Sequence, residues 1–176
     1  MQILLSELFN HIDEPKTYQV PVEFDSVKML GETYPVTEKQ PVELKLTHLG
    51  KKKIQMNAEI QMTLEIPCGR CLEPVSVPFV ISVDNQLELY DTPEQATEDS
   101  DEPYIDGYQL DVDALVRNEL FVHMPLRVLC KEDCKGICKR CGTNLNLGTC
   151  DCDATELDPR MAAILDIFGS ADKDRH

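Results

Sequence analysis

Six cysteines fall within 23 residues, Cys130, Cys134, Cys138, Cys141, Cys150 and Cys152, and two more, Cys68 and Cys71, stand far upstream in the segment PCGRCLEP. Thiols at this density form disulfides, hold a metal ion or exchange electrons, and the compartment decides among the three. The opening MQILLSELFNHIDE has neither a basic n-region nor a small-residue cleavage site, so the expected location is cytoplasmic. Reduced thiols there favour a metal, and Zn2+ is the expected ion.

The pair Cys138 and Cys141 followed by Gly142 has the shape of a zinc knuckle: a tight turn aims both thiolates at one ion, and the glycine accepts a positive φ. Four ligands are needed for a tetrahedron. Cys150 and Cys152 can fold back across the eight residues Gly142 to Thr149, and Cys130 and Cys134 can chelate from a turn, so either pair completes the knuckle. Cys68 and Cys71 then have three readings: half of a second site with whichever pair is left over, a redox pair, or a pair without metal. Eight cysteines make two sets of four, and a redox CxxC belongs at a helix N-terminus. Catalytic zinc is disfavoured, because no His lies near the cluster; His11, His48, His123 and His176 read as surface or hydrogen-bonded residues. No phosphate loop, nucleophile elbow or paired carboxylates stand out, so no catalytic residue is assigned and the chain reads as non-enzymatic.

The elements that must position these thiols are mainly strands. Ile54, Met56, Ala58, Ile60, Met62, Leu64 and Ile66 alternate with polar residues, the period of a half-buried strand, and Val42, Leu44 and Leu46 alternate likewise before the turn at Gly50 to Lys53. The two are expected to pair as a hairpin. Val75 to Val83 is a further strand beyond the CGRC turn, and Tyr18 to Asp25, with Pro15 and Pro21, is an edge strand. Residues 91–107 are rich in Asp, Glu, Ser and Pro and read as a mobile acidic loop. Asp111 caps a helix over 111–123 that Pro125 ends, and Asp158 with Pro159 starts a last helix stopping at Gly169. The fold class is α+β, mainly β. An antiparallel, barrel-like N-terminal half (1–129) precedes a Cys-rich zinc module with its closing helix (130–169) and a disordered tail (170–176).

Seventeen basic and 32 acidic residues give a net charge of −15 over 176 residues, and residues 84–119 alone hold twelve acids and one Arg. Such a surplus steers basic partners and works against tight binding to a phosphate backbone. No apolar run reaches the roughly 20 residues of a membrane span.

The order CGRCLEPV, acidic loop, short helix, MPLRVLC, CKEDCKGICKRCGTNLNLGTCDC and DPRMAAI resembles the YceD family of bacterial and chloroplast proteins, from the first strand to about Phe168. Its most specific parts here are CKGICKRCG with the NLN that follows, and DPRMAAI. The resemblance implies a metal-binding protein tied to accumulation of large-subunit ribosomal RNA. With the charge, it leads to an expected role in ribosome biogenesis through a basic ribosomal or assembly protein. Two other functions compete. One is a nucleic-acid-binding zinc module with Lys131, Lys135, Lys139 and Arg140 on phosphates, and the other is a thiol redox protein using Cys68 and Cys71.

Overall fold

The computed structural model describes residues 1–9, 14–29, 31–89 and 102–152. Nine strands and one α-helix are assigned among them: β1 (Gln2–Leu4), β2 (Pro15–Val20), β3 (Ser26–Met29), β4 (Glu32–Lys39), β5 (Val42–Gly50), β6 (Lys53–Pro67), β7 (Pro74–Glu88), β8 (Ile105–Asp106), β9 (Gln109–Asp111) and α1 (Val112–Val122). The fold is mainly β, with every strand pair antiparallel.

The long strand β6 organises the rest. Along its N-terminal half it pairs with β5, from Gly50↔Lys53 to Glu43↔Glu59. Further on, the same edge takes β4, with Lys39↔Met62 and Val36↔Leu64. Its opposite edge pairs with β7 throughout, from Lys53↔Glu88 to Pro67↔Pro74. The outer strands β2 and β3 flank β5 and β4, so the six-stranded order runs β2-β5-β6-β4-β3 with β7 added on β6. β1, β9 and β8 form a separate three-stranded sheet.

Period-two alternation decides which face is buried. Ile54, Met56, Ala58, Ile60, Met62, Leu64 and Ile66 of β6 are all buried. They join Val42, Leu44 and Leu46 of β5 and Phe79, Ile81, Val83 and Leu87 of β7 in one core. Helix α1 adds Val112, Leu115, Val116 and Leu120 to it. Asp111 caps that helix, its carboxylate accepting from the Asp113 and Ala114 N–H groups at 3.0 and 3.1 Å. At about 3.3 Å per residue, the fifteen residues of β6 reach roughly 45 Å. Beyond its last pairing with β4 at Leu64, the β6–β7 hairpin continues as a short arm with Cys68 to Glu73 at its tip.

Several expectations change here. β2 is an edge strand as expected but stops at Val20, because Pro21 has no N–H to continue the ladder. β3 and β4, joined at Gly31 with φ 89°, were not anticipated. The end of the acidic loop is ordered: Tyr104 is 1% exposed within the core, Asn85 donates to its hydroxyl at 3.2 Å, and Ile105–Asp106 forms β8. One large aromatic buries enough surface to hold that stretch. Residues 90–101, the helix expected from Asp158 to Gly169, the tail, His11 and His176 lie outside the described residues. His48 is buried against the Phe9 ring at 5.1 Å, and its Nδ1 has no hydrogen-bond partner. His123 Nδ1 lies 2.9 Å from the Glu119 carbonyl. Among the described residues, no helix is long and apolar enough to cross a membrane.

Candidate metal centres

The eight cysteines gather into two groups of four, Cys68, Cys71, Cys130 and Cys134 in one and Cys138, Cys141, Cys150 and Cys152 in the other, the sulfurs of each lying within 4.8 Å of one another. The choice left open by the spacing is thereby made: the knuckle takes Cys150 and Cys152, and the CGRC pair takes Cys130 and Cys134. We refer to these as site 1 and site 2 in that chain order.

Site 1 is assembled from two distant parts of the chain. The tip of the β6–β7 arm curls because the Leu72 N–H donates to the Cys68 carbonyl at 3.0 Å and the Cys68 N–H to the Glu73 carbonyl at 2.8 Å. Leu72 takes a left-handed φ of 64° to complete the turn. The returning chain docks on that tip through Gly69 N–H to the Val128 carbonyl at 2.8 Å, Ile137 N–H to the Arg70 carbonyl at 3.2 Å, and the Arg70 guanidinium to the Cys134 carbonyl at 2.7 Å. Cys68, Cys71 and Cys134 form a small buried cluster of their own, flanked by Val75, Leu129 and Ile137.

The donor set fits a tetrahedral ion. Four sulfurs at about 2.3 Å from zinc stand about 3.8 Å apart. In site 1, Cys68 Sγ is 3.8 Å from Cys134 Sγ, and Cys71 Sγ is 3.5 Å from Cys130 Sγ. A disulfide would need about 2.05 Å, and all eight cysteines are free. With Cys68 wholly buried and Cys71 nearly so, neither is presented to a disulfide partner in solution, which weakens the redox reading.

Site 2 is local. Cys138 N–H donates to the Thr143 carbonyl at 2.8 Å and Gly142 N–H to the Cys138 carbonyl at 2.9 Å, closing the knuckle with Gly142 at φ 73°. A single bridge, Ile137↔Asn144, replaces a ladder. The site is more exposed than site 1, with Cys141 at the surface.

Without a cation the thiols divide unequally. The Cys71 N–H, against the effect of burial and helped by the Arg70 and Cys130 N–H groups, lowers Cys68 to about 6. Burial opposes ionisation of Cys134, but Asn146 and the Gly136 N–H bring it below the ordinary thiol value. The Glu73 N–H favours the Cys71 thiolate, but burial and Cys68 prevail and push it up. Cys71, burial and Cys134 push Cys130 to about 12. Site 2 repeats the pattern. The Cys141 and Arg140 N–H groups lower Cys138, and the Thr143 hydroxyl and N–H bring Cys141 to about 6. The Cys152 N–H lowers Cys150 but is outweighed by Cys138 and burial, and Cys141 with burial lifts Cys152 to about 12.

Sequence reasoning missed the two asparagines that join the sites. Asn146 donates to Cys134 Sγ at 3.3 Å, and Asn144 donates to the Glu73 carboxylate at 3.1 Å, so the loop of site 2 rests on site 1. The signal was the NLN that follows the knuckle, two polar residues with one side chain between them. Gly136 is the other unforeseen residue. Its φ is +78°, and an added Cβ would stand 3.1 Å from the Arg70 carbonyl oxygen. Gly136→Ala is therefore expected to displace the arm tip from the returning chain and destabilise the module by about 1 kcal/mol or more. A lowered midpoint of metal loss in a chelator titration would show it; an unchanged midpoint would refute it.

Residues 56–168, well over half of the chain, match the family described as "Large ribosomal RNA subunit accumulation protein YceD". The chain is similar to the Bacillus subtilis (strain 168) protein YlbN, with 25% identity over 117 residues that cover 66% of this chain and 67% of the relative. It is 24% identical over 135 residues to the Arabidopsis thaliana "Large ribosomal RNA subunit accumulation protein YCED homolog 1, chloroplastic", covering 61% of this chain and 42% of that protein. It is also 26% identical over 106 residues to Rv2926c of Mycobacterium tuberculosis, covering 58% of this chain and 49% of that one. The chain thus spans about half or less of the length of the last two. No solved structure matches it. On the strength of the family match across both cysteine clusters, the chain belongs to the YceD family.

Proposed function

We propose that this protein is a non-enzymatic factor in large-subunit ribosome biogenesis that supports accumulation of the large ribosomal RNA. In this reading one Zn2+ in each four-cysteine site holds the C-terminal module on the tip of the β6–β7 arm. The supporting observation is that the stretch matching the family contains all eight cysteines, gathered into two groups of four whose sulfurs lie within 4.8 Å of one another. The zinc is a fastener, because Cys130 to Cys152 has no apolar core of its own and a structural site supplies about 10–16 kcal/mol of apparent binding free energy at neutral pH. The excess of acid over base favours a basic ribosomal or assembly protein as partner over bare RNA. The location proposed with this role is cytoplasmic.

One observation favours direct RNA contact as the second reading: Lys131, Lys135, Lys139 and Arg140 are all exposed on the metal module. They also offset the −2 charge of each four-thiolate zinc centre. Affinity purification of the tagged chain at moderate salt separates the readings. The first expects a basic protein in the eluate; naked ribosomal RNA without one, with affinity falling steeply as salt rises, would replace it by the second. In cells lacking the chain, an unchanged ratio of large- to small-subunit ribosomal RNA would sink both.

A further inference from the structure

We infer that Asn146 couples the two metal sites, acting as a hydrogen-bond donor to a ligand of site 1 from a loop whose shape is set by site 2. This rests on the metal-binding reading above and extends it to a residue that binds no metal itself.

Asn146 lies in the loop between the two ligand pairs of site 2, and every polar atom of its side chain is used across to site 1. Its Oδ1 accepts the Lys135 N–H at 2.9 Å, which requires oxygen at that position and fixes the amide orientation. Its Nδ2 therefore points at Cys134 Sγ, 3.3 Å away, and also donates to Asn144 Oδ1 at 3.0 Å. Asn144 Oδ1 accepts the Asn146 N–H at 3.0 Å as well, and Asn144 Nδ2 reaches Glu73 on the arm tip. The Leu145 N–H donates to the Gly136 carbonyl at 2.9 Å and so pins the residue between the two asparagines to the strip joining Cys134 and Cys138.

A donor aimed at a metal-bound sulfur orients the ligand and takes up part of its charge. Removing such a partner typically lowers metal affinity 10–100-fold. Here the donor is presented by residues 142–149, and the knuckle and the Cys150–Cys152 pair are what close that loop. Loading site 2 thus sets Asn146 in place and tightens site 1, and by thermodynamic reciprocity loading site 1 tightens site 2 by the same factor. The more exposed, locally assembled site 2 is the site that reports on the buried, long-range one.

The test uses the full chain loaded with 113Cd2+, whose two resonances are assigned with Cys68→Ser and Cys150→Ser, titrated with a competing chelator. Asn146→Ala is expected to lower retention at site 1 by about 10–100-fold and to move its resonance. Asn146→Asp keeps the acceptor for the Lys135 N–H but replaces the donor by a carboxylate facing a thiolate, and it is expected to be at least as damaging. The double variant Cys150→Ser/Cys152→Ser should weaken site 1 to a similar extent, with little further loss when Asn146→Ala is added. Retention at site 1 unchanged in Asn146→Ala, or Asn146→Asp behaving like the unsubstituted chain, would overturn the inference by showing that the residue only shapes the loop. Failure of the unsubstituted chain to give either cadmium resonance would instead overturn the metal reading beneath it.

Discussion

Replacing Cys68 by Ser is expected to leave one bound metal per chain instead of two and to release residues 129–152 from the arm, while the six-stranded sheet stays folded. The division follows from the packing. Cys68, Cys71 and Cys134 form a buried cluster apart from the main core, and among the described residues only Val75 borders both. Among the described residues, the other ties across the junction include a handful of hydrogen bonds at Cys68, Gly69, Arg70 and Glu73, each contributing about 1 kcal/mol. A structural zinc outweighs their sum several-fold. Metal stoichiometry by native mass spectrometry, with limited proteolysis at Lys131 and Lys135, reads the result. Cys150→Ser should open the loop 142–149 and weaken site 1 without releasing the module from the arm. Two metals retained in Cys68→Ser, or loss of sheet signal in circular dichroism along with the module, would show that site 1 is not the fastener described.

Acidification is expected to strip both metals, and the slope with pH is set by the divided thiols. The ligand is the thiolate, so every proton held by the metal-free site competes with the ion. Between about pH 6 and the ordinary thiol range, Cys68 in one site and Cys141 in the other are ionised while the two raised thiols of each site stay protonated, so loading a site displaces at least two protons and affinity changes at least about 100-fold per pH unit. Below about pH 6, Cys68 and Cys141 take up protons too. The displaced number then rises toward four and affinity falls more steeply. Competition against a chelator of known proton linkage at several pH values measures this. A slope near zero between pH 6.5 and 8 would mean that the ligands are ionised before the metal arrives.

What the sequence displayed depended on whether a signal was local. β5, β6 and β7 were legible because strict alternation over five or more residues marks a half-buried strand, and α1 because Asp111 precedes a helical repeat. β3 and β4 were not: Ser26–Met29 is too short to show a period, and β4 contributes only Tyr34 to the buried residues. At the cysteines, type and number announced clusters that could hold a metal, and Gly142 announced the turn at Cys138 and Cys141. Spacing could not divide them, since both candidate pairs reach the knuckle and only the hairpin register brings Cys68 and Cys71 to the tip facing Cys130. The NLN stood out in the sequence, but what its asparagines bind did not, because their partners Cys134 and Glu73 are tertiary neighbours.

The separation of the site 1 ligands along the chain has a consequence for synthesis on the ribosome. Cys68 meets Cys134 across 66 positions, and Cys71 meets Cys130 across 59. The first pair therefore emerges with its sheet partners long before the second pair exists, and α1 is translated in between. A nascent or truncated chain that stops short of residue 134 has the arm but no closed tetrahedron. A filled first centre is thus a certificate that translation has passed through the whole β-rich half and its helix.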